Sequence, residues 1–115
     1  MTVTIFHNPR CSKSRETLKL LQDKGVTPTV VEYLKTPPTA AELGDILSKL
    51  GLSPRDLMRR KEAEYKAAGL DEAGLSDGEL IAAMIATPKL IERPIVLANG
   101  KAALGRPPEA VLAIL

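Results

Sequence analysis

Cysteine and histidine are nearly missing from this chain, which has one of each, Cys11 and His7, among 115 residues. A single cysteine cannot close an internal disulfide. Without cysteine pairs or a second histidine, no structural zinc site can be read from the sequence, and no metal is expected. Tryptophan is absent, and the aromatic side chains are only Phe6, Tyr33 and Tyr65, so the core must be aliphatic. No apolar run approaches the roughly 20 residues needed to span a bilayer. No charged segment followed by an apolar stretch opens the chain, so no secretion signal is expected. A net charge of +2, with no basic stripe interleaved with aromatics, argues against a nucleic-acid binder. There is no glycine-rich phosphate loop and no carboxylate cluster. What is left is a globular protein expected in the cytoplasm, where a lone thiol stays reduced. Its 44% hydrophobic and 26% charged residues are ordinary for one domain with one core.

The rare residues fall together in one stretch, His7-Asn8-Pro9-Arg10-Cys11-Ser12-Lys13-Ser14-Arg15. An extended apolar segment, Thr2 to Phe6, leads in. A helical pattern leads out, with Leu18, Leu20 and Leu21 beside Thr17 on its apolar face and Gly25 as its stop. Cys11 thus sits where a strand ends and a helix begins. The first N–H groups of a helix lack internal partners, and the helix dipole puts partial positive charge there. Both favour a thiolate, as do the cations Arg10, Lys13 and Arg15. The same N–H groups suit an oxyanion. A free cysteine is often an inert buried hydrophobe, but Arg, Ser and Lys neighbours suit a core position poorly. By itself His7 reads as a loop residue bonded to the backbone.

Further along, Pro28 to Leu34 reads as a second strand, rich in β-branched residues. Thr36-Pro37-Pro38 breaks it. Thr39-x-x-Glu42 is a capping box that opens a helix to about Leu50, with Gly51 as its stop. Ser53-Pro54-Arg55-Asp56 repeats the start signal for a short helix through about Arg60. Lys61 to Ala73 resists assignment. Ser76-x-x-Glu79 is another capping box, for a helix ending near Thr87-Pro88. Pro94 to Ala98 and Lys101 to Leu104 flank Asn99-Gly100, the favoured two-residue hairpin turn. After Gly105-Arg106-Pro107-Pro108-Glu109 a last helix is expected, with Val111, Leu112 and Leu115 as its apolar positions. The order β-α-β, helices, β-β-α predicts an α/β fold, a four-stranded mixed sheet with helices packed on it.

Arg93 precedes Pro94 at the head of an apolar strand, and Arg106 lies between Gly105 and Pro107 after the hairpin. Neither charge has an obvious structural use there. If strands one and three are neighbours, Arg93 approaches Cys11. Arginine suits tetrahedral oxyanions because its planar fork makes paired, charge-assisted hydrogen bonds. Arg59 and Arg60 lie at a basic helix end, and spacing does not separate them. Glu42 and Glu79 are accounted for as capping residues.

The stretch Ile5 to Arg15 resembles the active-site loop of the glutaredoxin-coupled arsenate reductase family. The resemblance covers essentially the whole chain. It continues through Tyr33 to Thr39, Leu57-Met58-Arg59-Arg60, Ile91 to Val96 and Gly105 to Glu109, in family order and at family spacing. It implies a thioredoxin-like fold over residues 1–115, with a helical insertion at about 39–92 between the β-α-β and β-β-α parts. In such folds a cis proline faces the active-site loop, and Pro94 is the matching position. The resemblance makes Cys11 the nucleophile and Arg59, Arg93 and Arg106 the arginines that bind the anion. It assigns supporting places to His7, Asn8, Ser14 and Arg15 in the loop and to Pro94. It also selects Arg59 over Arg60. It implies reduction of arsenate to arsenite, an arsenic detoxification step. The Cys11 thiolate attacks arsenate and expels water or hydroxide. Glutathione, a co-substrate rather than a bound cofactor, then attacks the adduct and supplies electrons. Glutaredoxin resolves the mixed disulfide and frees arsenite. The single cysteine fits, because a relay through the protein's own disulfide needs more. A cytoplasmic monomer is expected. Arg10-Cys11-Ser12-Lys13 and an end soon after the last helix are similar to a short chromosomal subgroup of the family.

Two other functions remain compatible with these residues. One is a regulator of the same fold that binds RNA polymerase. Such regulators typically carry Cys-x-x-Cys, and the second position is Ser14 here. The other is a general glutathione-dependent thiol reductase, which would need Cys11 but no anion-binding arginines.

Overall fold

The computed structural model describes residues 2–115. The chain divides into two compact units, one of Met1–Thr36 with Arg93–Leu115 and one of Pro37–Glu92. The first unit holds strands β1 (Val3–Phe6), β2 (Thr29–Val31), β3 (Ile95–Ala98) and β4 (Lys101–Leu104), and helix α1 (Ser12–Asp23). The strand order is β2-β1-β3-β4, with β2 parallel to β1 and the other pairs antiparallel. This is the mixed four-stranded sheet that the element order predicts.

Alternation along the strands builds the core. Val3 and Ile5 point to one face and lie directly across from Ala98 and Val96. On that face they pack with Leu21 of α1 and with Val111 and Ile114 from the C-terminal segment. Asn99 and Gly100 both take positive φ (54° and 72°), as a two-residue turn between twisted strands requires.

The buried side of α1 is Ser14, Thr17 and Leu21, at i, i+3 and i+7. Leu18 is half-buried and Leu20 turns partly to solvent, so the stripe is more polar than the leucine spacing predicts. β2 is also shorter than Pro28 to Leu34. Only Thr29 to Val31 pair with β1, and the chain then turns as the N–H groups of Lys35 and Thr36 both bond to Glu32 O. The C-terminal Pro108–Ile114 is 3-10 helix rather than α-helix. At three residues per turn its inward positions are Pro108, Val111 and Ile114, while Leu112 and Leu115 are only half-buried.

The second unit holds α2 (Ala40–Leu50), α3 (Ala63–Ala67) and α4 (Asp77–Ala86), with 3-10 turns at Pro54–Leu57 and Pro88–Leu90. Both capping boxes form. Thr39 Oγ1 accepts from Glu42 N–H, and Ser76 Oγ accepts from Glu79 N–H, while each glutamate reaches back to the cap N–H. Gly51 ends α2 at φ 68°. The helix expected through Arg60 stops at Leu57, because Met58 becomes extended and bridges to Ile91. Arg59 N–H then bonds to Leu90 O and Glu92 N–H to Leu57 O. The unassigned stretch after Lys61 contains α3. A latch follows it, in which Arg55 donates to Tyr65 Oη, Leu70 O and Glu72 O.

Candidate active site

The sheet register fixes where the chemistry collects. Phe6 lies opposite Ile95 and Val31, and Ile95 lies opposite Leu104. The exits of β1, β2 and β4 and the entry of β3 therefore share one end of the sheet. His7 to Cys11, Arg93-Pro94 and Gly105-Arg106 all emerge there.

Cys11 is the N-cap residue of α1. Cys11 N–H bonds to Asn8 O at 3.0 Å, closing a tight turn, and Arg15 N–H bonds to Cys11 O at 3.0 Å. The turn is braced from both sides. Arg10 N–H donates to Asn8 Oδ1 at 3.0 Å, and Arg15 Nη1 donates to Pro9 O at 2.9 Å. Cys11 is only 8% exposed. Its sulfur closes no ordinary cap hydrogen bond, yet its pKa falls below the usual thiol value. Burial alone would raise it. The Ser14 N–H, the Arg93 charge, the Lys13 N–H and a hydrogen bond from Arg93 together outweigh that cost.

The cation acting on the sulfur is therefore Arg93, from across the sheet. The neighbours in sequence are engaged elsewhere: Lys13 lies 3.7 Å from Glu16, and Arg15 is committed to Pro9 O. Arg10 is exposed. Arg93 has Nε and Nη1 buried. Arg106 joins from the end of β4, with Nε donating to Arg93 O at 2.8 Å and Nη2 lying 3.9 Å from Cys11 Sγ. Two guanidinium groups and the start of a helix thus converge on one thiol. That set can hold a tetrahedral oxyanion against a sulfur nucleophile.

Ser14 ties the loop to the helix. Its Oγ sits 2.6 Å from His7 Nδ1 and accepts Asn8 N–H at 3.0 Å. The His7 pKa is lowered, chiefly by burial and further by the Arg15 charge, against an opposing pull from Glu32. A neutral imidazole adds no charge at the sulfur, so His7 reaches Cys11 through Ser14.

Arg93-Pro94 is a cis peptide bond, as is Arg106-Pro107. Gly105 N–H bonds to Pro94 O at 2.9 Å. A Cβ at Gly105 would lie 2.5 Å from Thr17 Oγ1 and 2.6 Å from Pro94 Cγ. Thr17, fully buried with Oγ1 donating to Lys13 O, and Gly105 are thus the packing beneath the arginines. Sequence reasoning gave neither residue that part, although a glycine directly before Arg106 was the available signal.

Arg59 lies in the second unit, where Nη1 pairs with Glu62 at 2.8 Å and Nε approaches Glu92 at 3.9 Å. Lys89 holds Glu62 and Glu64 in turn. Arg60 is more exposed and pairs with Asp56 at 3.4 Å. Structure therefore separates two arginines that spacing could not, and adds Glu62 as the partner of Arg59.

Residues 6–114 match the ArsC family. Over 114 residues the chain is 60% identical to the uncharacterised protein YfgD of Escherichia coli strain K12, across 98% of this chain and 96% of that one. It is 55% identical over 114 residues to an arsenate reductase of Neisseria meningitidis serogroup A, across 98% of this chain and 97% of the relative. A solved arsenate reductase structure from Vibrio cholerae superposes with a TM-score of 0.97 at 55% identity, covering all of this chain and 98% of that one.

Proposed function

The chain belongs to the ArsC family, and on that premise we propose that it is an arsenate reductase using glutathione and glutaredoxin as reductants. The observation that carries this reading is the lone, acidified Cys11 thiol under the guanidinium groups of Arg93 and Arg106.

The Cys11 thiolate attacks arsenic in dihydrogen arsenate. One oxygen leaves as water after taking up a proton, and a Cys11 S–As(V) bond remains. Glutathione's sulfur attacks Cys11 Sγ. The S–As bond breaks with its electron pair left on arsenic, which departs as arsenite, As(III), while an S–S bond forms and the glutathione proton passes to arsenite. Arsenite is thus free before glutaredoxin acts, one step earlier than the resemblance implies. Glutaredoxin's thiol takes over the glutathione, and Cys11 returns to its reduced form. Arg93 and Arg106 neutralise the oxyanion and orient it for attack, and the first N–H groups of α1 stabilise the thiolate before it attacks. His7, through Ser14, with Asn8 and Arg15, keeps the loop in its tight turn. Arg59, paired with Glu62 within the second unit, is the third arginine that this reading calls on. The protein works as a cytoplasmic monomer.

The test is arsenate-dependent NADPH oxidation with glutathione, glutathione reductase and glutaredoxin. Wild type turns over, and Cys11→Ser abolishes turnover because a neutral hydroxyl is a poor nucleophile. Removing a donor aimed at an oxyanion costs roughly 100- to 1,000-fold, so Arg93→Ala and Arg106→Ala lower kcat/KM on that order. Turnover surviving in Cys11→Ser would sink the mechanism. A wild type inert toward arsenate would sink the substrate.

A further inference from the structure

A cleft of about 320 Å³ opens beside the nucleophile loop, between His7-Asn8-Pro9-Arg10 and the turn after β2 that carries Glu32, Leu34 and Lys35. Its volume falls at the lower end of small-ligand clefts, roughly 300–1,000 Å³. The wall is mostly apolar. Leu34, one of two large hydrophobic side chains exposed among the described residues, supplies part of it at 43% exposure. Apolar area left open beside a reactive thiol suits a ligand rather than solvent.

The cleft adjoins the loop that carries the sulfur, although Cys11 is not itself part of its lining. Asn8, which lines it, accepts Cys11 N–H at 3.0 Å. That turn keeps the two Cα atoms within about 7 Å of each other. The nucleophile is therefore one tight turn of chain away from a ligand in the cleft.

The charges at the rim are two cations, Arg10 and Lys35, and one carboxylate, Glu32. A ligand complementary to that set carries two carboxylates and one ammonium. Glutathione has this pattern, with a γ-glutamyl carboxylate and α-ammonium at one end, a glycine carboxylate at the other and the thiol between. The rim is not locked by its own pairing. Lys35 and Glu32 stand 3.9 Å apart, with side chains 78% and 44% exposed, an ion pair of little strength that a ligand readily replaces.

We propose that this cleft is the glutathione subsite, with Arg10 and Lys35 taking the two carboxylates, Glu32 the α-ammonium and Leu34 the peptide backbone. The inference rests on glutathione being the reductant in the reading above.

Binding is tested without catalysis by titrating ¹⁵N-labelled full-length protein with S-methylglutathione, which keeps every charge but cannot exchange thiols. Saturable shifts are expected at the amides of Asn8, Arg10, Glu32 and Lys35. Lys35→Glu, a reversal at an exposed side chain, weakens that binding roughly three- to tenfold. In the coupled assay the same variant raises the KM for glutathione by a similar factor. Absence of saturable shifts at these amides, or equal affinity in Lys35→Glu, overturns the subsite. The two readings fail separately. A protein that binds S-methylglutathione here but is inert toward arsenate loses the proposed substrate and keeps the cleft. One that reduces arsenate without these shifts keeps the reaction and loses the cleft.

Discussion

Gly105 stands where a side chain has no room. A methyl group there would press on the hydroxyl of a buried threonine and on the Pro94 ring at distances no real contact adopts. Overpacking of this kind costs about 1–3 kcal/mol, so Gly105→Ala should lower stability by that amount in urea denaturation. The loss falls on the segment that carries Arg106, so arsenate turnover should drop with it. His7 gives a pH dependence of definite sign. Its pKa in the fold lies below 6.5, so the unfolded chain takes up the proton first as pH falls. Stability from this group is fully present above pH 6.5 and is lost as pH drops toward the folded value. His7→Asn should flatten that acid limb in denaturation curves measured at several pH values. At this scale the sequence is readable where a residue acts alone. Cys11 at a helix start is legible. The identity of its cation is legible only on a condition, because Arg93 is 82 positions away in sequence and reaches Cys11 only if strands one and three are neighbours, as they are.

Elements were legible where local hydrogen bonds decide them. Both capping boxes, the Asn99-Gly100 turn and the Gly51 stop are short-range devices, and all of them form. Thr39→Ala and Ser76→Ala should each cost about 1 kcal/mol, the usual worth of an N-cap, in thermal or urea unfolding. Local pattern misleads where a partner distant in sequence intervenes. Met58 leaves the helical pattern to bridge Ile91, and β2 ends when Glu32 O collects two turn hydrogen bonds. The C-terminal segment shows the same limit. Its apolar residues are compatible with either helical period, and packing under the sheet selects the three-residue one. Val111 is fully buried and Leu112 is not. Val111→Ala should therefore cost on the order of 2 kcal/mol, two buried methyl groups plus the cavity, and Leu112→Ala clearly less. Equal losses would favour the α-helical face instead.

At the scale of the molecule, the site is a consequence of sheet order. With β3 antiparallel to β1, the strand that follows Arg93 starts where the strand that precedes Cys11 ends. With β4 antiparallel to β3, Arg106 returns to the same end. The alternating order of elements announced this sheet, and the family resemblance named the arginines. Neither disclosed the shared packing of Thr17, Pro94 and Gly105, nor the carboxylate partners of Arg59. Those are contacts between residues far apart in sequence, and periodicity carries no record of them.

The central claim is that one thiolate and its arginines form an anion site. With a single cysteine in the chain, the rate of thiol alkylation by iodoacetamide against pH reports Cys11 alone, and we would measure it in wild type, Arg93→Ala and Arg106→Ala, with and without arsenate. The account predicts a wild-type midpoint below 9.0, moved upward in Arg93→Ala, and moved upward in wild type when bound arsenate adds negative charge. A wild-type midpoint at or above 9.0, unmoved by loss of Arg93 and by arsenate, would contradict it.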